Sequence, residues 1–275
     1  MALPRPPDWL VYGAAVLGLL VLAASQQERA DAPAAPPPSP GDALMLSTGA
    51  SLDQAKIRRL PAEAVEQASG TAFSISDAGV WLTARHVVEG CRRAAVLVAP
   101  GRGVKATVVS DPSTDVAVLT TEGGSPPLPL ALSARLRPGQ LGFHPGFPRA
   151  QPGEAASRLL GPYVLPSPAR TRPSPRVLAW AEVGRTDGLR GSLAGLSGAP
   201  VLDGRGEVIG VTLAESPRRG RIYAAPPSAV RAALALARRK PSGFAQGQPI
   251  TTDNYGRAAD GLRRGLSVVQ VVCLN

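Results

Sequence analysis

The chain is poor in the residues that most often do chemistry. It has 2 histidines, 2 cysteines and 2 methionines among its 275 residues, and aromatic side chains make up 4% of it. Two cysteines permit one disulfide at most. Two histidines, His86 and His144, leave few candidates for a base, and no metal or cofactor site is expected. Few aromatics also count against nucleic-acid binding, which needs a dense basic stripe with stacking rings. The net charge is +10, but the arginines are scattered, singly or as pairs at 58–59, 92–93, 218–219, 238–239 and 263–264. They read as a solvated basic surface. Long charged helical runs and internal repeats are both missing, which excludes coiled coils and solenoids.

What is plentiful is apolar residues, 44%, with 30 glycines and 29 prolines. That composition suits many short strands joined by turns. One uninterrupted apolar run, WLVYGAAVLGLLVLAA (9–24), spans 16 residues, about 24 Å as a helix. It is expected to anchor the chain in a membrane, or to be a signal segment cleaved near Ala-Ala-Ser at 23–25. The Pro/Ala-rich stretch 26–42 is then a linker, 43–240 the folded domain and 241–275 an extension. Either version places the folded part outside the cytoplasm.

From residue 43 the pattern is globular. A helix is expected within 52–68, and TAFSIS and VWLTA, separated by DAG, read as a hairpin. AAVLVAP, KATVVS and DVAVLT follow at short spacing, and after a Pro/Gly-rich bridge come GQLGFH, RLLGPYVL, RVLAWAEV, APVL, EVIGVTL and RIYAA. Two clusters of short strands result. One well-marked helix, 228–240, closes the second cluster, with Pro226 and Pro227 before it and Pro241 after it.

Ser197 lies in GLSGAP, a Gly-rich turn. Both histidines precede it, which excludes the chain order Ser, acid, His of α/β-hydrolases, and Ala199 breaks the G-x-S-x-G pattern. The order His, Asp, Ser remains. His86 sits where VWLTA runs into HVVEGC, and Asp115 opens the apolar strand DVAVLT. A hydroxyl is a weak nucleophile; it needs a base, and the base needs a third group to fix its tautomer. The Gly195 and Ser197 N–H groups are placed to form an oxyanion hole. His144, in a Gly/Pro loop without a partner motif, reads as structural.

Three blocks, GTAFSISDAGVWLTARHVV, DPSTDVAVL and GLSGAPVLDGRGEVIGV, resemble the signatures of trypsin-like (chymotrypsin-fold) serine peptidases, and most nearly the bacterial Deg/Htr type. The resemblance runs over about residues 69 to 230. It implies an all-β fold of two six-stranded β-barrels with the site in the cleft between them. His86 would be the general base, Asp115 its orienting partner and Ser197 the nucleophile, acting on protein or peptide substrates. A membrane-anchored domain in the periplasm, or a secreted one, follows from the N-terminal run. Two departures stand out: Arg85 precedes the histidine where Ala is common, and Ala199 replaces a glycine.

The substrate pocket is expected at Gly191, Ser192 and Leu213. No acid occurs in GLRGSLAG, so a small or apolar residue before the cut is expected rather than Arg or Lys. After the closing helix too few residues remain for a PDZ domain. The stretch before GTAFSIS lacks the apolar first strand of the fold, while LSVVQVVC (266–273) is strand-like. That run is expected to return to the first barrel, stapled there by a Cys91–Cys273 disulfide, with two unrelated buried thiols as the alternative. The alternative function is a catalytically idle peptidase-like domain that binds a partner.

Overall fold

Thirteen strands and three α-helices account for most of the structure, a computed structural model that describes residue 52 and residues 57–60, 70–110, 113–165, 176–242 and 246–274. The expected anchor (9–24) and linker (26–42) lie outside the described residues, as do most of the helix expected over 52–68 and the residues 243–245 of the extension.

The first barrel is made of β2 (Gly70–Ser76), β3 (Val80–Ala84), β4 (Arg93–Ala99), β5 (Arg102–Ser110), β6 (Val116–Thr121) and β13 (Val268–Leu274). Their order is β5-β4-β13-β2-β3-β6, and a β5–β6 pairing closes the ring. β2 and β3 are buried along their whole length, as continuous apolar or hydroxyl runs bounded by turns should be. Trp81 fills the interior without exposure, and its indole N–H donates to Thr121 Oγ1 at 2.8 Å. Outside the ring, β1 (Arg58–Arg59) pairs with β5, Arg58 opposite Gly103, so that part of the stretch expected to be helical is a short edge strand.

β13 lies between β2 and β4, antiparallel to both: Val271 is opposite Gly70 on one side and Val96 on the other. It takes the place for which the sequence before β2 offers no apolar strand. Cys273 on β13 is disulfide-bonded to Cys91, with the Cα atoms 5.3 Å apart.

The second barrel is closed by β7 (Leu141–Gly146), β8 (Gly153–Val164), β9 (Arg176–Arg185), β10 (Pro200–Leu202), β11 (Val208–Ser216) and β12 (Arg221–Ala225), in the order β10-β11-β12-β9-β8-β7. Trp180, Leu196, Val201, Ile209 and Ile222 fill it. All strand pairs in both rings are antiparallel, which gives two closed six-stranded barrels.

Helix α1 (Arg85–Val88) is a single turn that follows β3, and α2 (Pro227–Ala237) packs back on β5 and β6 through Val230, Ala233 and Leu234. α2 stops earlier than expected, because Arg238 adopts a left-handed φ of 50° that satisfies the last carbonyls; Arg238–Lys240 therefore lie beyond the helix. α3 (Tyr255–Arg264) was not expected at all. Two glycines and four charged residues in ten gave it no apolar period to read. It packs on β7, β8 and β13, with the Tyr255 ring 5.7 Å from that of Phe143.

Candidate active site

His86 sits in the first turn after β3, and Asp115 just before β6, the strand that pairs with β3. The pairing of Ala84 with Val116 brings the two residues together. Asp115 grips His86 twice: Oδ1 accepts the backbone N–H at 3.1 Å, and Oδ2 lies 2.8 Å from Nδ1. A carboxylate there holds the proton on Nδ1 and leaves the Nε2 lone pair free to act as a base. Nε2 makes no hydrogen bond among the described residues, and the side chain is 42% exposed.

Arg85 puts a cation beside the site, its Nε 3.9 Å from Asp115 Oδ1. Its Nε–H donates to Thr114 O at 3.2 Å and its Nη1 pairs with Glu89 at 2.6 Å. Its own N–H donates to Asp115 O, so the residue that departs from the family pattern fastens the Asp115 turn.

Ser197 reaches the same place from the second barrel. Its carbonyl accepts the N–H of Thr71 on β2 at 2.8 Å. Gly198 follows with φ +88°, and a Cβ there would lie 2.0 Å from Thr71 O and 2.4 Å from Thr83 Oγ1. Glycine is required by both conformation and space. Ser197 Oγ donates to Leu213 O at 3.0 Å and makes no bond to His86.

The preceding turn is set by Gly195, φ +97°, where a Cβ would stand 2.5 Å from Phe147 O. Thr71 fixes this turn as well: its hydroxyl donates to Gly195 O at 2.8 Å and accepts the N–H of Phe147 at 3.1 Å. The N–H groups of Gly195 and Ser197 donate to no acceptor among the described residues, as an oxyanion site requires.

Beside Ser197 is a cavity of about 30 Å³ lined by Leu193, Leu196, Ala214, Glu215 and Ile222. The expected lining was displaced on both walls. Gly191 turns its carbonyl to Arg185 Nη1 at 2.8 Å. Leu213 is the extra residue of a bulge between Thr212 and Ala214; its side chain does not line the cavity, and it serves the site through its carbonyl. Ser192 is at the rim, where its hydroxyl donates to Glu215 Oε1, which also accepts the N–H of Leu193 at 2.6 Å. An acid therefore does reach the pocket, delivered by β11 rather than by the GLRGSLAG loop. Sequence reasoning missed Glu215, which no local motif marks, and gave no role to Thr71 and Thr83, although both lie in the GTAFSISDAGVWLTARHVV block. A larger apolar cavity, about 420 Å³, lies behind Phe147 and Ala150 and holds no nucleophile.

His144 is fully buried, with Nδ1 2.8 Å from Thr212 Oγ1 and Nε2 2.7 Å from Ser157 Oγ. Burial lowers its pKa to about 3, so it is neutral at physiological pH and remote in role from His86. No group of His, Cys, Asp and Glu suited to a metal occurs among the described residues.

Comparison with known proteins bears on this geometry. A family model described as a trypsin-like peptidase domain matches residues 70–211, just over half of the chain. HhoB of Synechocystis sp., named as a serine protease, is 32% identical over 151 residues, which are 54% of this chain and 35% of that protein. The chain thus spans little more than a third of that relative's length. Among solved structures, the inactive form of the Rv3671c protease aligns with 60% of this chain and 82% of its own at 26% identity and a TM-score of 0.50. The active form of Rv3671c from M. tuberculosis aligns with 81% and 93% at 24% identity and a TM-score of 0.52, a likeness of fold.

Proposed function

The chain belongs to the family of trypsin-like peptidase domains, and on that premise we propose that it is a serine endopeptidase with Ser197 as nucleophile, His86 as general base and Asp115 as the carboxylate that orients it. The observation that supports this most is the double grip of Asp115 on His86, 3.1 Å to the backbone and 2.8 Å to Nδ1, beside a serine loop seated on Thr71. Rotation of the Ser197 side chain from Leu213 O toward Nε2 starts the reaction. His86 takes the hydroxyl proton as Oγ attacks the scissile carbonyl, and the N–H groups of Gly195 and Ser197 receive the oxyanion. The imidazolium then protonates the leaving amine, and water releases the acyl group by the same path.

The cavity of about 30 Å³ admits a small side chain before the cut. Glu215, bound to both Ser192 and Leu193, lines it, and a volume that small does not hold an Arg or Lys side chain. The apolar run 9–24 supports a domain tethered to the bacterial inner membrane and facing the periplasm, or secreted after cleavage. The Cys91–Cys273 disulfide supports an oxidising compartment. Among the described residues no helix is long and apolar enough to cross a membrane.

One observation favours the second reading, an idle binding domain: Ser197 Oγ is engaged by Leu213 O and not by His86. A fluorophosphonate probe separates the two. A peptidase is labelled covalently, and labelling disappears in Ser197→Ala while the fold persists. Absence of labelling in the wild-type chain under all conditions assigns it to binding.

A further inference from the structure

We propose that Arg263, on helix α3 and outside the stretch matched by the family model, is a positioning residue for the oxyanion turn. The inference rests on the peptidase reading above.

The turn at Gly195 is held from behind by the loop between β7 and β8. The N–H of Arg149 donates to Ala194 O at 2.5 Å, Phe147 O faces Gly195, and Arg149 Nη1 donates to Arg190 O at 3.2 Å. The orientation of the Ala194–Gly195 peptide, and so the aim of the Gly195 N–H, depends on where this loop stands. The loop is not in a relaxed conformation. Arg149 and Ala150 both have left-handed φ angles, 53° and 62°, which side chains other than glycine seldom adopt. Such a conformation persists only where neighbouring structure imposes it.

Arg263 imposes it. Its Nη1 donates to both carbonyls at the neck of the loop, Gly146 O at 3.3 Å and Gly153 O at 3.0 Å. Those two residues are the last opposed pair of β7 and β8. Its Nη2 is held by Glu154 at 2.8 Å and Asp260 at 2.5 Å, and the side chain is 8% exposed. Glu154 is anchored in turn by Thr186 Oγ1 at 2.9 Å. The guanidinium is thus fixed by two carboxylates at one end and spends its other nitrogen on clamping the neck. A lysine keeps the charge for Glu154 and Asp260, but its single ammonium cannot reproduce that planar fork.

The test uses the full chain and begins with fluorophosphonate labelling of the wild type; without labelling at Ser197, both the peptidase reading and this inference fall. With labelling established, Arg263→Lys is compared with wild type on a peptide p-nitroanilide ending in alanine and on a peptide aldehyde of the same sequence. The aldehyde adduct places its oxyanion in the hole. Binding of the plain peptide amide is measured in the Ser197→Ala and Ser197→Ala/Arg263→Lys chains. Arg263→Lys should lower kcat and aldehyde affinity by about tenfold or more, toward the 10²–10³ known for loss of an oxyanion donor, and change peptide amide affinity by less than about twofold. Cys91→Ser/Cys273→Ser loosens the neighbouring strand β13 without touching the loop, and should retain kcat well below its unfolding temperature. Unchanged kcat and aldehyde affinity in Arg263→Lys, or an equal loss in the cysteine variant, overturns the proposal. If Arg263→Lys does not fold, Arg263→Met/Glu154→Gln/Asp260→Asn removes all three buried charges and must show the same split.

Discussion

Acid should destabilise the fold through His144. The ring is enclosed by Thr212 Oγ1, Ser157 Oγ and the edge-on Trp180, with no carboxylate among its hydrogen-bond partners. Ser157 Oγ–H donates to Gly142 O at 3.2 Å, so its oxygen accepts from Nε2–H, and Nδ1 accepts from Thr212. A second ring proton would bury a full charge, and burial accordingly lowers the pKa from 6.5 to about 3. The unfolded chain binds that proton below 6.5 while the folded chain refuses it until about 3. Stability is therefore complete above 6.5 and is lost as pH falls toward 3. The loss is about 1.4 kcal/mol per pH unit, or roughly 3 kcal/mol by pH 4. Glu154 acts in the opposite sense. Burial, only partly offset by Arg263, raises its pKa, so its protonation on acidification favours the folded chain. It is common to both proteins in the following comparison and cancels. Urea unfolding of wild type and His144→Gln at pH 7 and pH 4 should show the wild type losing about 3 kcal/mol more across that interval than the variant. Parallel losses within about 0.5 kcal/mol would refute the assignment of a neutral, buried imidazole.

Two further outcomes follow from the way β13 and the serine turn are held. The disulfide closes a separation of 182 residues, for which chain entropy gives about 5 kcal/mol as an upper value. Cys91→Ser/Cys273→Ser should therefore unfold at clearly lower denaturant than wild type, and an unchanged midpoint would show that strand pairing alone fixes β13. Gly198→Ala forces a Cβ to within 2.0 Å of Thr71 O at a φ of +88°, and should cost about 3 kcal/mol or more in urea unfolding. It should also abolish fluorophosphonate labelling, whereas wild-type stability and labelling would mean that the turn is not seated on β2.

The residues proposed for catalysis were legible because each sits where a strand meets a turn, and chemistry limits which residue types can stand there. With two histidines in the chain, the order of His86, Asp115 and Ser197 left few alternatives. The strand-like run that became β13 was legible by contrast: no apolar strand precedes β2, and an apolar run near the end had no partner. The pocket was not legible. The expected lining, Gly191, Ser192 and Leu213, is not what lines the cavity, and the register of β11 against β12 shifts between Thr212 and Ala214. Such a shift changes which side chains face the cavity, and this is how Glu215 escaped notice. Arg263 was hidden for a different reason. The pair at 263–264 looked like the other solvated arginine pairs, and burial of one member on Glu154 is a tertiary fact without a local sign.

These findings join into one account of how the two barrels share a site. The barrel that carries His86 and Asp115 cannot close until β13 has been made, since Gly70 and Val271 are opposed in the sheet though far apart in sequence. Without β13, the paired edges of β2 and β4 would both be left open, an arrangement prone to wrong pairing. Closing so long a loop is slow and yields nothing until its far contacts form. α3 precedes β13 directly, and Arg263 on it grips the loop behind Gly195. The event that completes the barrel of His86 and Asp115 therefore also brings Arg263 to the loop behind the Ser197 turn. Seating of β13 thus adds a second hold on the Gly195 turn to the one that Thr71 on β2 already gives Gly195 and Ser197.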